Sequence, residues 1–469
     1  MSDLLAARAQ MAMSLAFHIV FAALGIALPL LACAAEWRGM RTGDPGYTSL
    51  AKRWAKGTAI LFAVGAVSGT VLSFELGLLW PGFMRHAGAV IGLPFSLEGF
   101  AFFTEAIFLG IYLYGWDRVS PRAHLAAGLV VAASGALSGI FVVMVNAWMN
   151  APTGFTLAPD GSFADVNPLL GMRSPVALAQ TLHMTLAAYA ATGMAVAGVH
   201  AALLLRPATR RDPVARAFHA RALAIAFGVG APAAVLQPLS GHYSAERVAV
   251  TQPAKLAAME GQWRTERGAP LRIGGWPDER REVTRYALEV PGALSLLAFG
   301  RPDATVRGLD AVPRADRPPV LVPHLAFQLM VACGSAMALV GAWGLSALAR
   351  ARRTGVGLDA RPRLLLATAV AAPAGFVAIE AGWTVTEVGR QPWVIQGVLR
   401  TADAVTPMPG LAVPFALFTA LYVFLGVMVV FLLGRLIVAT RAAGTPDGLT
   451  REYPVPAAPA PAAPVAAVP

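Results

Sequence analysis

Residues 411–437 read LAVPFALFTALYVFLGVMVVFLLGRLI, with Arg435 as the only charged side chain. A helix needs about 20 predominantly apolar residues to cross a bilayer, so this stretch reads as a membrane span. Eight further stretches of the same kind lie at 13–35, 57–80, 95–116, 124–146, 177–204, 221–240, 323–348 and 364–386. The whole 469-residue chain is 57% hydrophobic and 13% charged, with a mean hydropathy of +0.60. Those values exclude an ordinary soluble domain. The expected fold is an all-α integral membrane protein, a bundle of about nine transmembrane helices with a large outer loop between helices 6 and 7.

The net charge of +11 does not mark a nucleic-acid binder, because the basic residues are segregated. Arg38, Arg41, Lys52, Arg53 and Lys56 follow span one, and Arg118 and Arg122 follow span three. Arg206, Arg210, Arg211 and Arg216 follow span five, and Arg350, Arg352, Arg353, Arg361 and Arg363 follow span seven. The alternate short loops hold only Arg85, Arg173, Arg390 and Arg400. By the positive-inside rule the N-terminus faces outside and the C-terminus the cytoplasm. Span one lacks a basic leader and is followed by the charges of a retained helix, so it reads as a span and not as a signal peptide. Cys33 and Cys333 fall inside apolar spans and read as packing residues.

Four regions follow. Residues 1–240 hold helices 1–6, 241–322 form the outer loop, 323–442 hold helices 7–9, and 443–469 are a Pro/Ala-rich cytoplasmic tail expected to be disordered. Within the outer loop, residues 252–263 read as a short amphipathic helix after a proline start. The part around Pro302, Pro313, Pro318 and Pro319 reads as extended. Gly65-Ala-Val-Ser-Gly69 is a small-xxx-small pattern that helix packing explains.

Chemistry concentrates at one end of the spans. Glu387-Val-Gly-Arg390-Gln-Pro-Trp393 places a carboxylate and a guanidinium at the end of span eight, where an ionisable group marks a functional site. His18, His183 and Met330 stand near the same ends of spans one, five and seven. Imidazole, thioether and carboxylate on one side of a helix bundle are what haem iron needs. His200 lies about 25 Å further along span five and reads as a hydrogen-bonded structural histidine. Glu98 and Glu105 are close to two turns apart on one face of span three and read as a proton relay. Glu75 and Glu380 are intramembrane carboxylates in weaker settings.

These residues carry a resemblance. GWDR at Gly115–Arg118, NxWMxxPxG at Asn146–Gly154, KLAAxE at Lys255–Glu260 and ExGRQPW at Glu387–Trp393 occur together and in order. In this the chain resembles subunit I of the cytochrome bd-type quinol oxidases, from Arg8 to about Val438. The likeness is to the short-loop, cyanide-insensitive branch.

The resemblance implies a terminal quinol oxidase of the bacterial cytoplasmic membrane. It would oxidise ubiquinol or menaquinol at the outer face, reduce oxygen to water, and build a proton motive force by charge separation without pumping. It implies two haem b and one haem d, or three haem b, and no copper. His183 and Met330 would ligate the low-spin haem b, and His18 and Glu387 the irons of the other two haems. Arg8 and Arg390 would neutralise haem propionates, and Trp383 would bridge haems. Glu98 and Glu105 would match the acidic pair near the haem pocket, and Lys255 and Glu260 the quinol-loop pair. Subunit II and a small single-helix subunit are the implied protein partners. Two departures stand out: Gln328 occupies a position where many members have arginine, and the Glu98–Glu105 separation is one residue shorter than in other members.

Rival readings are weaker. A haem-copper oxidase needs more intramembrane histidines than His18, His183 and His200. A secondary transporter would show an inverted repeat and paired broken helices, and neither is legible. A non-catalytic subunit with this fold would have no need to keep His18, His183, Met330 and Glu387.

Overall fold

The computed structural model describes residues 2–442. The tail expected at 443–469 lies outside the described residues. The helices are α1 (Asp3–Thr42), α2 (Pro45–Leu79), α3 (Pro81–Tyr114), α4 (Pro121–Asn150), α5 (Pro168–Met172), α6 (Ala177–Leu205), α7 (Pro207–Arg211) and α8 (Pro213–Thr251). There follow α9 (Pro253–Glu260), α10 (Ala293–Phe299), α11 (Leu321–Thr354), α12 (Pro362–Ala371), α13 (Ala374–Val388), α14 (Thr401–Ala404) and α15 (Ala412–Ala442). Among the described residues nine helical spans are long and apolar enough to cross a membrane, with α12 and α13 together making the eighth.

The spans outrun the apolar windows because polar caps extend them. Ser2 Oγ accepts from Leu5 N at the start of α1, and Gly43, at φ 68°, ends it in the left-handed conformation that glycine adopts most readily. Asp212 caps α8 by accepting from Val214 N and Ala215 N, and Pro213 occupies its first turn. That early start places His219 inside a helix and buries it, where the sequence suggested a loop. At its other end α8 passes through Pro232 and Pro238 and continues to Thr251, so the first part of the expected 241–322 loop is helical. Span eight is broken at Ala372–Pro373, since proline lacks the N–H that would continue α12.

Packing relies on small residues. A Cβ at Gly193 of α6 would lie 2.4 Å from Gly230 Cα of α8, and one at Gly198 would lie 2.3 Å from the Cβ of Ala372. Such close backbone approach is how helices associate where lipid supplies no hydrophobic drive. Large apolar side chains left exposed, among them Phe100 on α3 and Leu417 and Val430 on α15, suit a lipid surround.

Alternate helix ends define two faces. One carries the short turns at 42–45, 114–121, 205–213 and 354–362. The other, termed here the loop face, carries α5 with the hairpin β1 (Thr156–Leu157) and β2 (Phe163–Ala164), and the long segment between α8 and α11. After α9 this segment folds back on itself through nested antiparallel pairs. β3 (Glu266–Arg267), β4 (Leu271–Ile273) and β5 (Trp276–Asp278) lead out, and β6 (Val283–Arg285), β7 (Leu288–Val290) and β8 (Thr305–Val306) return. β5 pairs with β6, β4 with β7 and β3 with β8. The expected helix at 252–263 is present as α9, whereas the return leg is not simply extended: α10 and two 3₁₀ turns interrupt it. After α13, β9 (Trp393–Ile395) and β10 (Leu399–Arg400) complete the loop face.

Candidate functional site

The last turn of α13 presents Glu387 beside Arg390, and the two form an ion pair. Asn146, near the end of α4, donates from Nδ2 to Glu387 Oε1 at 2.6 Å. Arg390 is 3% exposed yet leaves Nε and Nη1 without partners. A buried guanidinium with open donors calls for a second anion.

Hydrogen bonds continue outward from this pair. Asn150 donates to the carbonyl and side-chain oxygens of Asn146 at 2.8 and 2.9 Å. Lys255 Nζ donates to Asn150 Oδ1 at 2.5 Å and to Gln252 Oε1 at 2.9 Å. Gln252 donates to Gln396 Oε1 at 3.3 Å. An unbroken run of side chains from α13, α4 and α9 thus joins Glu387 to Lys255.

Lys255 and Glu260 are both buried on α9. Burial, helped by the charge of Arg390 and opposed by Glu387, pushes the Lys255 ammonium down to about 7. Burial pushes the Glu260 carboxyl up to about 8 against the opposing charge of Arg272. Glu260 Oε2 has no hydrogen-bond partner.

His18 and His183 have closely similar surroundings on different helix pairs. His18 Nδ1 lies 2.9 Å from Ser68 Oγ of α2, and a Cβ on Gly69 would come within 3.0 Å of the His18 ring. The Gly65–Gly69 motif therefore packs α2 directly against this histidine. His183 Nδ1 lies 3.0 Å from Ser240 Oγ of α8, and a Cβ on Gly241 would come within 3.4 Å of its ring. Each serine fixes the orientation of an imidazole, as ligand histidines require. The amide nitrogen of Gln237 approaches both ring nitrogens of His183 at 3.2 Å, while its Oε1 is unpartnered. Met330 on α11 faces α13, where a Cβ on Gly382 would lie 3.0 Å from its sulfur. Beside that contact is an open cleft of about 450 Å³, lined by Ala326, Leu329, Phe376 and Glu380 among others.

The remaining expected residues are placed unevenly. Glu98 and Glu105 both face α4, where Ser138 donates to Glu98 at 3.2 Å and Gly135 makes room for the Glu105 carboxylate. Trp383 is half-buried one turn before Glu387, whereas Arg8 is exposed near the start of α1. His200 sits towards the opposite face, with its Nδ1 2.9 Å from Nδ1 of His219, and so takes no part in this site.

Sequence reasoning missed several groups. Asn146 was visible only as a letter of a motif and Asn150 as one of its unspecified positions, and their role as connectors depends on contacts far apart along the chain. Glu75 was noted as an intramembrane carboxylate but its partners were not: it accepts from Gln10 at 3.0 Å and Ser14 at 2.7 Å, with Oε2 unpartnered. Gln10, Ser14 and His18 recur every four residues on α1, a polar stripe in an apolar helix that would have drawn attention to their shared face.

The donor set, the serine-oriented imidazoles and the open donors of Arg390 fit haem iron with an acidic periphery. Comparisons with known proteins agree. The family model for cytochrome bd terminal oxidase subunit I matches residues 6–441. A Bacillus subtilis protein provisionally named cytochrome bd menaquinol oxidase subunit I is 38% identical, over 92% of this chain and 96% of its own length. The B. subtilis cytochrome bd ubiquinol oxidase subunit 1 is 32% identical over 93% of each chain. The solved bd oxidase of Geobacillus thermodenitrificans superposes with a TM-score of 0.84 at 36% identity, covering 93% of this chain and 98% of that one. The chain belongs to the cytochrome bd terminal oxidase subunit I family, a family of terminal quinol oxidases.

Proposed function

We propose that this chain oxidises a membrane quinol, ubiquinol or menaquinol, at the Lys255–Glu260 pair on the loop face, with Glu260 touching the quinol and Lys255 linking that site to Glu387, and reduces oxygen to water inside the bundle. The observation that carries this reading is the hydrogen-bonded run from Lys255 through Asn150 and Asn146 to Glu387, which joins the segment suited to quinol to the group suited to iron. The loop face is the outer side of the bacterial cytoplasmic membrane, with the N-terminus outside and the C-terminus inside, as the segregated arginines favour.

His183 and Met330 would hold a low-spin haem b, and His18 and Glu387 would hold the other two haems, a b and a d or two b, without copper. When bound, the haems relay single electrons and activate oxygen. The protein's own groups do the rest. Glu260, with one bare carboxylate oxygen, accepts a hydrogen bond and then a proton from the quinol hydroxyl. Arg390 would offer its two open donors to a haem propionate, and the exposed Arg8 would offer a second guanidinium. Trp383, half-buried one turn before Glu387, would bridge the haems. Glu98 and Glu105 pass protons taken from the cytoplasm, so consumption on one side and release on the other separates charge without a pump. Subunit II and a small single-helix subunit complete the complex.

The test is a donor split. Glu260→Ala is expected to raise the quinol KM or abolish quinol turnover while artificial donors still reduce the haems and the spectra stay normal. Equal loss with both donor types would place the quinol site elsewhere.

A further inference from the structure

Two side chains at the start of α11 hold the loop-face segment by its backbone. Gln328 Oε1 accepts from Gly274 N at 3.0 Å, and its Nε2 donates to Arg272 O at 3.0 Å. One turn earlier, the fully buried His324 has Nδ1 2.9 Å from Met259 O and Nε2 3.0 Å from Gly274 O. Carbonyl oxygens only accept, so in each contact it is a ring N–H that donates. Spaced four residues apart, the two side chains share a face of α11. Together they grip the end of α9, β4 and the turn that follows.

The grip depends on an amide at 328. An arginine there would carry five donors and no acceptor and could not receive the Gly274 N–H. The grip also reaches the quinol residues. Met259 directly precedes Glu260, and Arg272, whose carbonyl Gln328 holds, points its guanidinium at Gln262 Oε1 at 2.5 Å and Glu289 Oε1 at 2.9 Å. The charge of Arg272 is felt at Glu260.

We propose that His324 and Gln328 are positioning residues for quinol oxidation: they clasp residues 259–274 to α11 and so fix Glu260 and Arg272 relative to each other. This rests on the reading of Glu260 as part of the quinol site.

The test compares Gln328→Met, close to the native side chain in volume but with neither amide contact, and Glu260→Ala in the intact oxidase. Backbone hydrogen exchange over 271–275 and quinol KM and kcat are measured for each. Losing two hydrogen bonds in Gln328→Met is expected to quicken exchange at Gly274 by about tenfold or more. Quinol KM should rise several-fold, with kcat changing less. Gln328→Glu keeps the acceptor for Gly274 N and loses the donor to Arg272 O, so it should fall between Met and wild type. His324→Phe should repeat the KM effect. Unchanged exchange or unchanged KM in Gln328→Met, alongside a raised KM in Glu260→Ala, would overturn the clasp alone. Unchanged KM in Glu260→Ala would overturn the quinol-site reading, and the positioning role with it, even where exchange quickens.

Discussion

Lys255 and Glu260 stand on one short helix, equally buried, and they use a buried charge in opposite ways. Lys255 is held by its neighbours: it donates to Asn150 and Gln252, and through Asn150 it is tied to Glu387. Glu260 keeps one carboxylate oxygen bare. A donor hydrogen-bonded into its neighbours belongs to the scaffold of a site, whereas a buried acceptor left open is held ready for something that arrives. The two ends of α9 therefore divide into a connector and a contact point.

The largest expected effect lies at the far end of the connector. Glu387→Gln keeps shape and removes charge, and should abolish oxygen uptake with loss or spectral change of one high-spin haem. The His183/Met330 haem should remain largely intact. Full haem content with normal uptake would defeat the assignment of Glu387 and leave the connector leading nowhere.

Next comes the connector itself. Lys255→Met leaves the acceptors of Asn150 and Gln252 open, at about 1–3 kcal/mol for each buried group left unsatisfied. Turnover should fall about 10- to 100-fold with artificial donors as well as with quinol. A loss confined to quinol would make Lys255 a contact point like Glu260 and erase the distinction.

The contact point should show itself in pH. Its raised pKa keeps Glu260 protonated below about 8 and ionised above. Since only the ionised form can take the quinol proton, kcat/KM for quinol should climb as pH rises through that value. Glu260→Gln should lower kcat/KM and flatten the climb; an undiminished climb in that variant would assign it to another group.

The smallest effect is expected at Arg8. It is exposed, whereas Arg390 is buried with open donors. An exposed charge pair is worth about 0–1 kcal/mol, so Arg8→Gln should change turnover by less than about fivefold. Arg390→Gln should cost far more. A reversal would move the acidic periphery of the site to the start of α1.

Much of this was legible in the chain. The apolar windows gave nine spans, because length and hydropathy alone decide whether a helix can cross a bilayer. Helix limits were less accessible, since Asp212 and Pro213 start α8 in a polar stretch that hydropathy does not register. The break at Pro373 was written in the sequence but hidden by the apolar residues around it. At the site, His18, His183 and Glu387 stood out as costly groups in apolar helices, and Met330 by its place near the same helix ends. Their supports did not: Ser68, Ser240, Asn146 and Asn150 are ordinary residues until folding brings them to a partner. Gln328 showed the same limit, being visible as an isolated polar residue whose partners lie 54 and 56 residues away along the chain.

The most direct measurement is an anaerobic optical titration of the purified complex with quinol, followed by admission of oxygen. The account predicts haem bands that quinol reduces and oxygen reoxidises, and a Glu260→Ala complex whose bands respond to artificial donors and oxygen but only weakly to quinol. A complex without haem bands, or haem bands that quinol leaves oxidised in the wild-type protein, would contradict it.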